Sequence, residues 1–173
     1  AHAQTSAAAP LADKALRVVG AGWFGVALAG QALFAAYVAA FYGGAAIAGD
    51  FEKWNDILVG GYVRGGLFGN IMLAAHLALA VTITLGGPLQ LIPALRNRFR
   101  SFHRWNGRIY LITAMIMSLG GIYMVWTRGT AGGDSLRIGI SLNGLLLVAC
   151  ATLAWRAALS RQFDSHRRWA LRT

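Results

Sequence analysis

Charged residues are absent from four long stretches of the chain, Val18–Gly49, Gly65–Leu95, Ile109–Thr127 and Ile138–Trp155, which run for 32, 31, 19 and 18 residues. A helix needs roughly 20 apolar residues to cross the hydrocarbon core of a bilayer, so each stretch is able to span once. Membrane barrels are built from short alternating segments, a pattern not seen here. The expectation is an all-α, polytopic transmembrane bundle with four full spans, over about 16–42, 67–95, 103–127 and 136–157. Residues 1–14 read as a mobile tail and 15–173 as one helical domain, with 166–173 opening a further helix. That last segment stops just after it starts, so the chain is expected to continue into a fifth span.

Within the first run, Ala32, Ala36 and Ala40 recur at four-residue spacing behind Gly22, Gly25 and Gly30. Small residues at that spacing let backbones approach closely in lipid, which marks the alanine stripe as a helix-packing face. Between the first two spans, Phe51, Trp54, Ile57 and Leu58 share one helical face. This suits a short helix in the membrane interface with Trp54 at headgroup depth, or an ordered loop. Gly86-Gly87-Pro88 and Pro93 predict a kink or an early end in the second span, because proline removes a helical hydrogen bond.

Composition agrees with the pattern: 57% of residues are apolar and 13% charged, against about 25% charged in a soluble domain. The net charge of +10 would suggest a nucleic-acid partner in a soluble chain. Its placement points elsewhere. Lys14, Arg17, Arg96, Arg98, Arg100, Arg104, Arg108, Arg156, Arg161, Arg167, Arg168 and Arg172, opposed only by Asp13 and Asp164, fall on one side of the bilayer. Four basic residues and four acidic ones balance on the other side. The positive-inside bias assigns the N-terminus and both basic segments to the cytoplasm, with anionic lipid headgroups as the natural partner and no nucleic acid required.

Catalytic sets are not expected. No carboxylate lies within a span, no phosphate-binding G-x-x-x-x-G-K-[ST] motif occurs, and no ligand cluster for a metal is apparent. The lone Cys150 falls inside the fourth run, where a small buried packing role is expected. Two basic segments echo one another: His103-Arg104-Trp105-Asn106-Gly107-Arg108 and His166-Arg167-Arg168-Trp169-Ala170-Leu171-Arg172. If both helices rise from one surface, His103, Arg104, Arg108, His166, Arg167 and Arg172 converge on an anionic group, helped by the positive ends of the helices. The plainer expectation is a set of anchors snorkelling to the headgroups. His103 and His166 also have the chemistry of axial haem ligands. His76, inside the second span, is an intramembrane polar candidate together with Gln90, and interhelical contact is its leading role.

The matching positions His103, Arg104, Gly107, Arg108 and Tyr110, then His166, Arg167, Trp169 and Arg172, resemble a bacterial family of predicted membrane proteins of unknown function. That family carries H-R-x-x-G-R-x-Y and H-R-x-W-x-x-R motifs, and the likeness spans roughly Gly66 to Thr173. It implies a place in the bacterial inner membrane and no activity. The leading expectation is therefore a non-catalytic accessory or binding subunit that packs on other membrane subunits and anionic lipid, with no cofactor. The alternative is an electron-transfer protein holding haem b or a quinone near His103 and His166.

Overall fold

A computed structural model describes residues 5–173, with side chains described from residue 11 onward. Among these residues the fold is all-helical. Helix α1 spans Thr5–Tyr37, widens into a π-helical turn over Val38–Gly43 and finishes as α2, Gly44–Ile47. A 3₁₀ helix, Phe51–Asp56, crosses the connection to α3, Leu67–Leu91. The short α4 covers Pro93–Arg98, α5 covers Arg100–Thr127, α6 covers Gly133–Leu159 and α7 covers Phe163–Ala170. Four helices, Leu11–Ile47, α3, α5 and α6, are long and apolar enough to cross a membrane. With 25, 28 and 27 residues, α3, α5 and α6 exceed the roughly 30 Å hydrocarbon thickness at 1.5 Å per residue.

The boundaries differ from those expected. The tail foreseen over 1–14 is helical from Thr5, consistent with the high helix propensity of Ala7–Ala9 and Ala12; its first four positions lie outside the described residues. Pro88 stays inside α3, and the break falls at Ile92, held extended by Pro93, which itself opens α4 at its first position. Helix α5 then starts three residues before His103, and α7 three before His166.

Helix α5 is central, flanked by α3 on one side and α6 on the other, with α7 folded back along α6. Side-chain contacts fix the antiparallel directions. Phe68 meets Tyr123 and Asn106 meets Gly86 between α3 and α5; Trp126 bonds Ser141 and Met115 meets Thr152 between α5 and α6. The turn into α7 puts Arg161 at a φ of 56°, a left-handed conformation uncommon outside glycine. Very few large side chains are hidden, and Trp23 is 75% exposed. Such a surface fits lipid rather than water.

Helix α1 sits at the edge and packs chiefly on α3. The buried face of the first span is Ala35, Val38, Tyr42 and Ala45, the last three clustering with Leu73 of α3. The expected stripe of Ala32, Ala36 and Ala40 is exposed, on a different side of the helix from that cluster. Spacing identified a small-residue face, but the position of α3 decides which face is covered within the chain. Ala35→Leu is accordingly expected to destabilise the fold by about 1–3 kcal/mol, the usual cost of overpacking, and Ala36→Leu to leave it unchanged. Unfolding of both variants in mild detergent checks this.

Trp54 lies in the 3₁₀ helix and is 3% exposed. Its indole Nε1 donates to Tyr42 O at 3.1 Å, and its ring packs edge-on against Tyr42 and Phe51. The 3₁₀ helix is thus a plug pinned to the end of the first span. Arg128, just past α5, ties the same region together: its guanidinium donates to Gly60 O at 3.0 Å, to Gly61 O and to Asn70 Oδ1 at 2.7 Å.

Candidate functional site

At the basic end, α3 and α5 cross closely because glycines face the larger side chains of the partner helix. A Cβ on Gly107 would stand 3.2 Å from Gln90 Oε1, and one on Gly87 would stand 3.0 Å from Tyr110. Gln90 Nε2 donates to His103 O at 3.3 Å, and Asn106 Nδ2 donates to Gly86 O at 2.9 Å. Gly107 is small so that Gln90 can lie across it. Asn106, a variable place in the expected motif, carries the shorter of these two bonds. The sequence signal for it is a polar side chain one turn into a span, opposite a Gly-Gly pair.

The two His-Arg segments have a shared internal construction. Arg108 lies over the Trp105 ring at 5.1 Å, and Arg172 lies over the Trp169 ring at 4.9 Å. Each is a Trp-x-x-Arg pair one helical turn apart, the spacing that brings a cation onto an aromatic face. Their settings differ. Trp105 is 63% exposed, whereas Trp169 packs with Ala170 on the cluster of Leu111, Ala151 and Ala154. Ala151 and Ala154 are wholly buried, so α7 approaches α6 over two side chains of one carbon each.

His166 is half-buried, with Nδ1 2.9 Å from Ala154 O. His103 is also half-buried, and its Nδ1 is shielded from solvent without a hydrogen-bond partner among the described residues. Helix α7 packs on α6 and sets Trp169 and Ala170 against Leu111 of α5, so both histidines lie at the same end of the bundle. Arg104, Arg108, Arg167 and Arg172 are all exposed, and Arg104 Nη2 donates to Ser101 Oγ at 3.4 Å. The backbone N–H of His103 is taken by Phe99 O at 3.0 Å and that of His166 by Gln162 O at 2.9 Å. The backbone donors of the two histidines themselves are therefore already used. Cys150 is half-buried and has a free thiol.

Ion pairing separates the two ends. Among the described residues, the salt bridges are Arg64–Glu52 at 2.7 Å and Arg137–Asp134 at 2.9 Å, both at the low-charge end. The hydrogen bond and charge of Glu52 hold the Arg64 guanidinium above its ordinary pKa. At the basic end no arginine pairs with a carboxylate among the described residues. A surface cleft of about 470 Å³ lies there, lined by residues 97–102 at the α4–α5 turn. His76 lies apart, deep in α3 against Gly121 of α5.

The chain belongs to the family described as predicted membrane protein (DUF2306), whose model matches residues 73–173. The match covers His76 and both His-Arg segments, and leaves α1 and the plug outside it. No curated protein and no solved structure matches the chain.

Proposed function

We propose that this family member is a non-catalytic membrane subunit whose basic end binds an anionic group, the net-negative headgroup of an anionic phospholipid. One observation carries the reading: the arginines of that end have no carboxylate partner within the described chain, while the paired arginines lie at the opposite end. Guanidinium groups held close together repel unless an anion joins them, and each presents donors suited to phosphate. The exposed Arg104, Arg108, Arg167 and Arg172, grouped around His103 and His166, supply those donors. Positive-inside bias puts them on the cytoplasmic leaflet, where anionic lipid is available. The subunit role is supported by α1, whose Ala32, Ala36 and Ala40 face away from the packed cluster and offer a close-packing surface to another helix.

Native mass spectrometry of the chain released from its own membrane tests the headgroup reading. Anionic phospholipid adducts are expected on the wild type, and most should be lost from the Arg104→Gln, Arg167→Gln double variant. Equal adducts on both proteins remove the site. An absorption spectrum of the same sample discriminates the electron-transfer alternative, since a reducible Soret band would reassign His103 and His166 as haem ligands.

A further inference from the structure

Asn143 sets a carboxamide on the lipid-facing side of α6, within the charge-free run Ile138–Trp155. Helix α6 extends from Gly133 to Leu159, so Asn143 stands about 15 Å from one end and about 24 Å from the other. The polar layer of a bilayer takes up only roughly 5–8 Å on each side, which leaves this residue at hydrocarbon depth. Ser141 and Thr152, on the same helix, each return a hydroxyl to the carbonyl one turn earlier, at 2.8 Å. The exposed Asn143 side chain makes no such bond, nor any other among the described residues. Lipid tails offer neither donor nor acceptor, so an amide left alone there is costly.

Its surroundings fit another helix. Gly139, one turn earlier on the same side, is exposed, with open space where a Cβ would stand, so a second backbone is able to come close. About three turns the other way, that side of α6 reaches Ala154, whose cluster is packed by Trp169 and Ala170 of α7. The seam between α6 and α7 thus continues toward the low-charge end as uncovered surface at Asn143 and Gly139.

We propose that a second copy of this chain covers that surface, the two α6 helices crossing at Gly139 and Asn143 about a two-fold axis. A carboxamide is both donor and acceptor, so each Asn143 Nδ2 donates to Oδ1 of its counterpart, the like-to-like contact that a two-fold requires. A wholly apolar partner helix would leave the amide unpaired. Charge agrees with a second copy. The crossing falls in a charge-free run, nearer the end where basic and acidic residues balance. A crossing angle of about 40°, usual for small-residue contacts in membranes, carries the two strongly basic ends apart.

Sedimentation equilibrium of the full chain in mild detergent, over a range of protein-to-detergent ratios, tests this. The wild type should fit a monomer–dimer equilibrium. Polar contacts between model membrane helices are worth a factor of about 5–30 in association, so Asn143→Leu should raise the dissociation constant at least about fivefold. Asn143→Gln keeps the carboxamide and should retain most of the association, whereas Gly139→Leu, which separates the backbones, should weaken it. Ala36→Leu, on α1, should dimerise as the wild type does. All three positions are exposed, so the variants should fold normally, which circular dichroism checks. A wild-type chain that stays monomeric at every ratio, or an Asn143→Leu variant that dimerises as tightly as wild type, overturns the proposal. Weakening by Ala36→Leu in place of Asn143→Leu overturns it too, by putting the interface on α1.

Discussion

Trp54→Ala should destabilise the protein by about 3–5 kcal/mol, the usual loss for truncating a buried tryptophan. Trp54 is 3% exposed and closes the end of the bundle where α1, the π-helical turn and α3 meet. The substitution removes its contacts with Tyr42 and Phe51 and its hydrogen bond to Tyr42 O. Trp54→Phe separates the contributions, keeping much of the aromatic area and giving up the donor. A hydrogen bond is worth about 0.5–1.5 kcal/mol net, so this variant should fall well short of the alanine loss. Equilibrium unfolding in mixed detergent micelles measures both. An alanine variant as stable as the wild type would mean that the plug is not seated on α1.

Ala154→Leu should have the second large effect, at the other end of the molecule. Ala154 is fully buried in the cluster where α5, α6 and α7 meet, and its carbonyl oxygen lies 2.9 Å from His166 Nδ1. Three additional carbons cannot enter that space without moving Leu111 or Trp169. Overpacking of this kind costs about 1–3 kcal/mol, and more where the backbone has to shift. Helix α7 has the fewest other supports, so it should lift away and carry Trp169 and Arg172 with it. Increased proteolysis within 160–173, alongside a lowered melting temperature, is the expected signature. Ala149→Leu, on an exposed side of α6, adds the same volume and should do neither.

The spans were legible because a missing charge over 18 or more residues admits few structures besides a membrane helix. The ends of those spans were harder to read. Pro88 looked as disruptive as Pro93, yet α3 continues through the first and stops at the second. Pro88 leaves one carbonyl, that of Thr84, without its helical donor, and a helix packed in a bundle tolerates one such gap. Trp54 was placed by the local pattern of a short amphipathic stretch. Its burial instead depends on Tyr42, twelve residues earlier, which no window around Trp54 contains. The face of α1 that packs within the chain was hidden for a similar reason: small residues occur on several sides of α1, and only the line of α3 distinguishes them.

At the basic end, the histidines and arginines were visible as two echoing segments. Gln90 was picked out as an intramembrane polar residue, though its acceptor, the His103 carbonyl, is a backbone atom that residue types do not reveal. The early starts of α5 and α7 changed the chemistry most. They occupy the backbone N–H groups of both histidines, so neither histidine's own N–H is left for a ligand.

The most direct measurement for the headgroup site is the melting temperature in uncharged detergent as an anionic phospholipid is titrated against a zwitterionic one. Wild-type protein should rise steadily with the anionic lipid and respond little to the zwitterionic one, because a ligand that binds only the folded state stabilises it in proportion to its occupancy. The Arg104→Gln, Arg167→Gln variant should lose most of that rise. Equal stabilisation of wild type and variant, or equal stabilisation by both lipids, would contradict the account.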